Sequence, residues 1–136
     1  MKVYIASRFS RIHEAEHVVR PALEAAGWTV TSRWHREQAS QPIDGAMAHH
    51  TAEENRFFAS RDLEDVDAAD ALVLLTEEPE SCWPRGARFV EYGYALAKGK
   101  VLILVGPREN VFHWLLPDSA VFASIQDLVN CFEGEN

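Results

Sequence analysis

The sequence predicts an α/β protein built on a mostly parallel sheet of about five strands. Two continuous apolar runs, Ala71–Leu75 and Val101–Val105, have the length and composition of strands that are buried on both faces. A stretch with helical patterning separates them, and strands that alternate with helices form parallel sheets. The chain has 136 residues, of which 47% are apolar, so we expect one hydrophobic core and a single domain over residues 1–136.

The first predicted elements are a strand over residues 3–6 and a helix that ends near Gly27. The strand opens directly into Ser7 and Arg8. Six apolar residues of the following helix share one face: Ile12, Ala15, Val19, Ala22, Leu23 and Ala26. Pro21 is expected to kink or divide this helix, because proline has no backbone N–H.

The next predicted elements are a strand over residues 28–32 and a mobile loop over residues 36–50, which is rich in Gln, Ser, Pro, Gly and Ala. Thr51 and Glu54 then form a capping-box signature. This signature predicts a helix over residues 51–69.

The last predicted helices span residues 86–98, with Gly99 as the stop, and residues 124–131. Open parallel sheets bind ligands beyond the carboxyl ends of their strands. We therefore expect the ligand edge at the loops that begin near Ser7, Thr76 and Gly106.

The charge balance argues against long nucleic acid as a partner. The chain has 21 acidic and 13 basic residues, and its net charge of −8 repels a polyphosphate backbone. No segment has the pattern of a signal peptide or a membrane span, so a cytoplasmic protein is expected. Cys82 and Cys131 have no metal-ligand spacing, and neither is a strong catalytic candidate.

Asp62 is the first candidate catalytic residue, because it lies near the centre of the predicted core stripe of the middle helix. The stripe consists of Phe58, Ala59, Leu63, Val66 and Ala69. A carboxylate that points at a core is costly unless it is paired, hydrogen-bonded or facing a solvated pocket. The structural alternatives are a pairing with a nearby arginine and a rotated helix with a solvated Asp62.

Glu91 is the second candidate, since it is the only charged residue between Phe89 and Ala97 on a helix that begins at the ligand edge. A glutamate near a helix start can instead merely complement the helix dipole. Two carboxylates on different elements that converge on one cleft could perform glycosidic chemistry, one as the nucleophile and the other as the proton donor.

Several segments resemble nucleoside 2-deoxyribosyltransferases and their hydrolase relatives. They are VYIAS at residues 3–7, RDL at 61–63 with AD at 69–70, and RGARFVEYGYALAKGK at 85–100. The resemblance runs from the first strand to Pro107. The predicted architecture is accordingly a single doubly wound domain of the Rossmann-like or flavodoxin-like kind.

The resemblance implies roles for three residues. Glu91 would attack C1′ of a deoxyribosyl group, Asp62 would assist protonation of the leaving base, and Tyr4 would help to position Glu91. The glycosyl intermediate would pass to water or to an incoming base with net retention. No metal or organic cofactor is implied. Tyr4 could alternatively be a strand aromatic packed in the core.

The segment before Glu91 departs from the family pattern, which is more glycine-rich and often acidic or serine-containing. Arg85 and Arg88, together with Ser7 and Arg8, could hold a 5′-phosphate through charge-assisted hydrogen bonds. Solvated surface arginines are the alternative. The expected ligand is therefore a small nucleoside or nucleotide, and the acceptor is left open between a hydrolase and a transferase.

Two further residues are candidates for substrate contacts. Trp34 could stack on a base or be a partly buried structural residue, and Asn55 falls on the same stripe as Asp62. By resemblance we also expect a homodimer or a higher homo-oligomer. The alternative function is a non-catalytic nucleotide-sensing module on the same fold.

Residues 13–17 read HEAEH and satisfy the H-E-x-x-H zinc pattern. The helical spacing places His13 and His17 away from the apolar face, so we expect both to point to solvent. No third ligand follows at a suitable spacing. A zinc enzyme is therefore not predicted.

Overall fold

The computed structural model describes residues 1–38, 51–78 and 86–133. Five strands form one sheet in which all neighbours are parallel. They are β1 (Lys2–Ala6), β2 (Thr29–Val30), β3 (Ala71–Leu75), β4 (Val101–Val105) and β5 (Val121–Phe122). Their order is β2-β1-β3-β4-β5, so the direction of the winding reverses between β1 and β3. The predicted five-stranded doubly wound sheet is confirmed.

Six α-helices flank the described sheet. They are α1 (Ile12–Glu14), α2 (Arg20–Ala25), α3 (Trp34–Gln38), α4 (Ala52–Ala68), α5 (Ala87–Ala97) and α6 (Ile125–Glu133). α4 and α5 pack on each other and on the central strands, while α2 packs against α6 and α3 packs against α1 on the other face. Within the described ranges, no helix is both long and apolar enough to cross a membrane.

The first helical segment bends where proline was expected to disturb it. A π-helical turn over Ala15–Val19 joins α1 to α2, and the Arg20 N–H bonds to the carbonyl of Ala15. This wider turn ends immediately before Pro21, whose ring cannot continue a regular α-helical hydrogen-bond pattern. Four of the six predicted face residues are buried: Ile12, Ala15, Val19 and Leu23.

The two histidines of the H-E-x-x-H pattern lie on the outer face of this segment. His13 and His17 are both exposed, and their rings stack with centroids 6.0 Å apart. The prediction that they point to solvent is confirmed. Among the described residues, no cluster of three or more potential metal ligands is found.

The capping box at the start of α4 is confirmed, but the predicted core stripe is partly wrong. Thr51 and Glu54 exchange both capping hydrogen bonds, at 3.1 Å each. Ala59 is exposed, whereas Arg61 and Asp65 are 7% and 5% exposed. The helix is rotated relative to the prediction because the Asp65 carboxylate is turned inward, where it pairs with Arg33 Nη2 at 2.8 Å.

The region after α2 also differs from the prediction. β2 has two residues rather than the five predicted over 28–32, and α3 occupies part of the predicted loop over residues 36–50. The rest of that loop, residues 39–50, lies outside the described residues. Because a two-residue strand makes few ladder bonds, side chains complete the attachment of this edge.

A series of hydrogen-bonded polar side chains, formed by Ser32, His35 and Glu16, makes that attachment. Ser32 and His35 are fully buried, and the Ser32 hydroxyl lies 2.6 Å from His35 Nε2. His35 Nδ1 lies 3.0 Å from Glu16 Oε1, and the Ile5 N–H donates to Ser32 Oγ at 3.1 Å. These hydrogen bonds connect the end of β2 to β1 and to the first helical segment.

Candidate active site

The site lies at the carboxyl ends of β1 and β3, where the sheet changes winding direction. α4 and α5 pack against each other and against β1 on one face of this crevice. Each of these three elements supplies one of the predicted catalytic residues. Tyr4 lies in β1, Asp62 in α4 and Glu91 in α5.

Glu91 is a buried carboxyl group with one hydrogen-bond donor. It is 9% exposed, and the Tyr4 hydroxyl donates to its Oε2. Burial raises the pKa of Glu91 to about 8, the Tyr4 hydrogen bond acts in the opposite direction, and the charge of Asp62 raises this pKa further. No basic side chain in the described part of the chain forms an ion pair with Glu91. The setting favours a carboxyl group that can take up and lose a proton.

Tyr4 is fixed as a donor by its own surroundings. It is fully buried, and burial together with the nearby Glu91 and Asp62 carboxylates raises its pKa well above the ordinary value of 10.0. The phenol therefore keeps its proton and directs it at Glu91. A core position for Tyr4 is compatible with its hydrogen bond to Glu91, because a buried tyrosine hydroxyl needs a hydrogen-bond partner.

Asp62 is half-buried on the same face of α4 as Asp65. Its Oδ1 is buried without a hydrogen-bond partner among the described residues. Burial raises the pKa of Asp62 to about 6, while Arg61 lowers it and Asp65 raises it. Asp62 therefore changes its protonation state close to neutral pH, as a proton donor for a leaving group must.

A network of ion pairs lies at the carboxyl edge of the sheet, near these residues. Glu77, two residues after the end of β3, binds Arg8 and Arg11 at 2.7 Å each. Glu109, in the loop after β4, accepts from Arg88 Nη2 at 2.5 Å and from the Glu77 N–H at 3.0 Å. The predicted residues Arg8 and Arg88 thus both have carboxylate partners.

The loops after β3 and β4 meet because of one glycine. Gly106 has a φ of +118°, and a Cβ at this position would lie 2.3 Å from Thr76 Oγ1. The glycine allows the two loops to approach, which brings the Glu77 N–H to Glu109. Neither Glu77 nor Glu109 was predicted from the sequence, although both follow the ends of predicted strands at the expected ligand edge.

The remaining predicted residues lie in varied settings. Ser7 is buried, and its hydroxyl donates to the Arg8 carbonyl at 3.0 Å. Trp34 is 9% exposed, and its indole N–H donates to the Ile5 carbonyl at 2.8 Å. Asn55 is exposed in the first turn of α4, two turns before Asp62. Arg85 lies outside the described residues. The structure brings together Tyr4, Asp62 and Glu91, and separately Arg8 and Arg88 through Glu77 and Glu109.

Comparison with known proteins gives matches in structure. No protein-family model and no curated protein sequence matches the chain. A 2-deoxyribosyltransferase from the psychrotolerant bacterium Bacillus psychrosaccharolyticus matches with a TM-score of 0.66 and 23% identity, over 96% of this chain and 91% of that one. The CMP N-glycosidase BcmB of Clostridium botulinum matches with a TM-score of 0.57 and 14% identity, over 98% of each chain. The predicted resemblance to nucleoside 2-deoxyribosyltransferases and their relatives is therefore confirmed at the level of the fold, which this chain shares along nearly its whole length.

Proposed function

We propose that the protein cleaves or transfers at the N-glycosidic bond of a 2′-deoxynucleoside or its 5′-monophosphate through a covalent glycosyl-Glu91 intermediate. The main support is the buried Glu91 carboxyl group, which has Tyr4 as its donor and no basic partner among the described residues. An ion pair would keep the carboxylate charged but would engage its oxygens, which makes it a poorer nucleophile. The printed names of the two structural neighbours, a 2-deoxyribosyltransferase and an N-glycosidase, agree with this chemistry.

The proposed reaction has two displacements at one carbon. The Glu91 carboxylate attacks C1′, the C1′–N bond breaks, and its electron pair leaves with the base, which takes a proton from Asp62. Water or a second base then attacks C1′, the ester bond to Glu91 breaks, and Asp62 accepts the proton of the incoming group. Two inversions give net retention.

The productive protonation state is Glu91 ionised and Asp62 protonated. With pKa values of about 8 and about 6, the empty site at neutral pH has the proton mainly on Glu91 instead. The active form is therefore a minor one before the substrate binds. Positive charge develops at C1′ in an oxocarbenium-like transition state, and this charge stabilises the Glu91 anion when it is needed.

The test is release of free base. The purified protein is incubated with deoxynucleosides and deoxynucleoside monophosphates, with and without an acceptor base, and the products are separated by chromatography. Glu91→Ala is expected to abolish release, whereas the control Glu64→Gln removes a carboxylate that is 72% exposed on α4 and should act like the wild type. Mass spectrometry of the intact protein during turnover should detect a deoxyribosyl adduct that Glu91→Ala lacks.

The outcomes separate the possible activities. Dependence on the acceptor base marks a transferase, and release in water alone marks a hydrolase. Base release that persists in Glu91→Ala would contradict the proposed nucleophile. Ligand binding without any turnover in the wild type would favour the sensing module.

We also propose that the protein forms a homodimer or a higher homo-oligomer. Four apolar side chains of the 3-10 helix Val111–Leu115 are strongly exposed: Val111 at 74%, Phe112 at 60%, Trp114 at 70% and Leu115 at 68%. Burial of this apolar surface against a second copy would remove it from water. Light scattering should give an oligomer mass for the wild type and a smaller mass for Trp114→Glu. A monomeric wild type would contradict the proposal.

A further inference from the structure

We infer that Glu109 occupies the position where a 5′-phosphate would bind, so the site takes uncharged nucleosides in preference to their 5′-monophosphates. This inference rests on the proposed function, because it concerns the substrate of the same site. It starts from the ion pairs at the carboxyl edge of the sheet.

The contacts of Glu109 are those that a phosphate group would make. Its carboxylate accepts from a guanidinium nitrogen, Arg88 Nη2, and from a main-chain amide, the Glu77 N–H. Arginine side chains and loop amides are the usual donors to phosphate oxygens in proteins. The Glu109 side chain is 8% exposed. A buried internal anion thus already holds both donors.

The neighbouring arginines at this edge are neutralised in the same way. Arg8 and Arg11 both bind Glu77, whose side chain is 15% exposed. In the ranges 1–38, 51–78 and 86–133, each arginine next to the strand ends β1, β3 and β4 has a carboxylate partner. A phosphate would have to compete with these carboxylates for every one of those cations.

Arg88 brings this network close to Glu91, the proposed nucleophile. Arg88 precedes Glu91 by three residues on α5, so the two side chains lie on one helix face about one turn apart. When C1′ is at Glu91, the 5′ carbon is only a few bonds away. A phosphate there would meet the Glu109 carboxylate, and contact between two unscreened like charges strongly disfavours binding.

A 5′-hydroxyl fits the same surroundings without that cost. It can donate to the Glu109 carboxylate and accept from the Arg88 guanidinium. The Arg88–Glu109 pair offers a donor and an acceptor side by side, and together they carry no net charge. This combination suits a neutral hydroxyl group.

The test compares one deoxynucleoside with its 5′-monophosphate. We expect the wild type to have a kcat/KM at least about tenfold higher for the nucleoside. Glu109→Ala and Glu109→Gln should each shift this ratio toward the monophosphate, by about tenfold or more for the alanine variant. Arg88→Gln in the Glu109→Ala background should remove the gain. The control Glu24→Ala changes the net charge equally on α2, where Glu24 is 43% exposed, and should leave the ratio unchanged.

Calorimetry separates this inference from the proposed function. Binding of the nucleoside and the monophosphate is measured with Glu91→Gln, which retains the Arg88–Glu109 pair. Absence of base release from both substrates in the wild type would overturn the proposed function, while tighter binding of the nucleoside would still support the inference. A preference of the wild type for the monophosphate, an unchanged ratio in both folded Glu109 variants, or no binding of either ligand would overturn it.

Discussion

Glu109 and Glu91 are two buried glutamates of the same site that have contrasting partners. Both side chains are buried, but Glu109 is held by an arginine and a main-chain amide, whereas among the described residues Glu91 has only the Tyr4 hydroxyl as a partner. The same contrast occurs within α4. Asp65 is paired with Arg33, while Asp62, one turn earlier, has a buried oxygen that finds no partner in the ranges the structure describes.

The difference separates carboxylates that stabilise the fold from those that we propose to react. A paired carboxylate holds its charge and joins two elements of structure. An unpaired buried carboxyl group has an elevated pKa, so a proton can move to or from it near neutral pH. The unpaired groups are Asp62 and Glu91, and the resemblance to a known family names the same two residues.

The largest expected effect follows from removing Asp62, the proposed proton donor. Asp62→Asn should lower kcat by about 100- to 10,000-fold, because an amide cannot protonate the leaving base. Steady-state release of base measures this loss. The matched control is Asp67→Asn on the same helix, at a side chain that is 48% exposed, and it should have near-normal activity. Equal losses of activity in both variants would contradict a specific role for Asp62 among the carboxylates of α4.

Glu91→Gln should make the protein more stable in a pH-dependent manner. Glu91 has a pKa of about 8 in the folded protein and an ordinary value of 4.5, so its ionisation costs stability as the pH rises from about 4.5 through 8. Glutamine does not titrate. The gain in unfolding free energy should be near zero at pH 4 and about 4 kcal/mol at pH 8. Urea denaturation at both pH values measures it, and a gain that is independent of pH would contradict the buried, unpaired setting.

Asp65→Asn should have the opposite effect on stability. It weakens the ion pair with Arg33 and leaves a buried amide in place of a charged acceptor. Because Arg33 is 45% exposed and can be solvated, the loss should be modest, about 1–2 kcal/mol. Thermal unfolding measures it against Asp67→Asn. A stabilised Asp65→Asn protein would show that pairing does not distinguish the two aspartates.

The smallest expected effect is a shift in the pH dependence of kcat/KM. Activity that needs ionised Glu91 and protonated Asp62 rises to about pH 6, is level up to about pH 8, and then falls. In Tyr4→Phe the pKa of Glu91 should rise because the hydrogen bond is lost. The alkaline limb should then move upward, and the level region should fall by the same factor, about tenfold per pKa unit. A lower rate with unmoved limbs would indicate a purely structural role for Tyr4.

The central strands could be predicted because their signals are local. β3 and β4 are continuous apolar runs, and the structure gives them the predicted bounds. β5 and α3 were missed because each is short, and their residues have no clear periodicity. The face of α4 was misjudged since one tertiary ion pair, between Arg33 and Asp65, turns a charged residue inward against the hydrophobic pattern.

The site divides in the same way. Asp62 and Glu91 could be singled out from the sequence because each carboxylate falls among apolar residues of its predicted helix. The partners Glu77 and Glu109 were not visible, because nothing in the sequence shows which acidic residue will meet Arg8 or Arg88. Their positions after two predicted strands were the available signal. The sequence thus predicts that a loop residue lies at the sheet edge, but it does not predict which residue will be its partner.

The polar chain that fastens β2 has the composition of a hydrolase triad. Ser32 Oγ meets His35 Nε2, and His35 Nδ1 meets the Glu16 carboxylate, which is the order of contacts in serine hydrolases. However, Ser32 is fully buried and its hydroxyl accepts the Ile5 N–H, so no substrate carbonyl can reach it. In this protein the same three residue types attach a two-residue edge strand to the rest of the sheet. Access to solvent is what distinguishes this structural arrangement from a catalytic one.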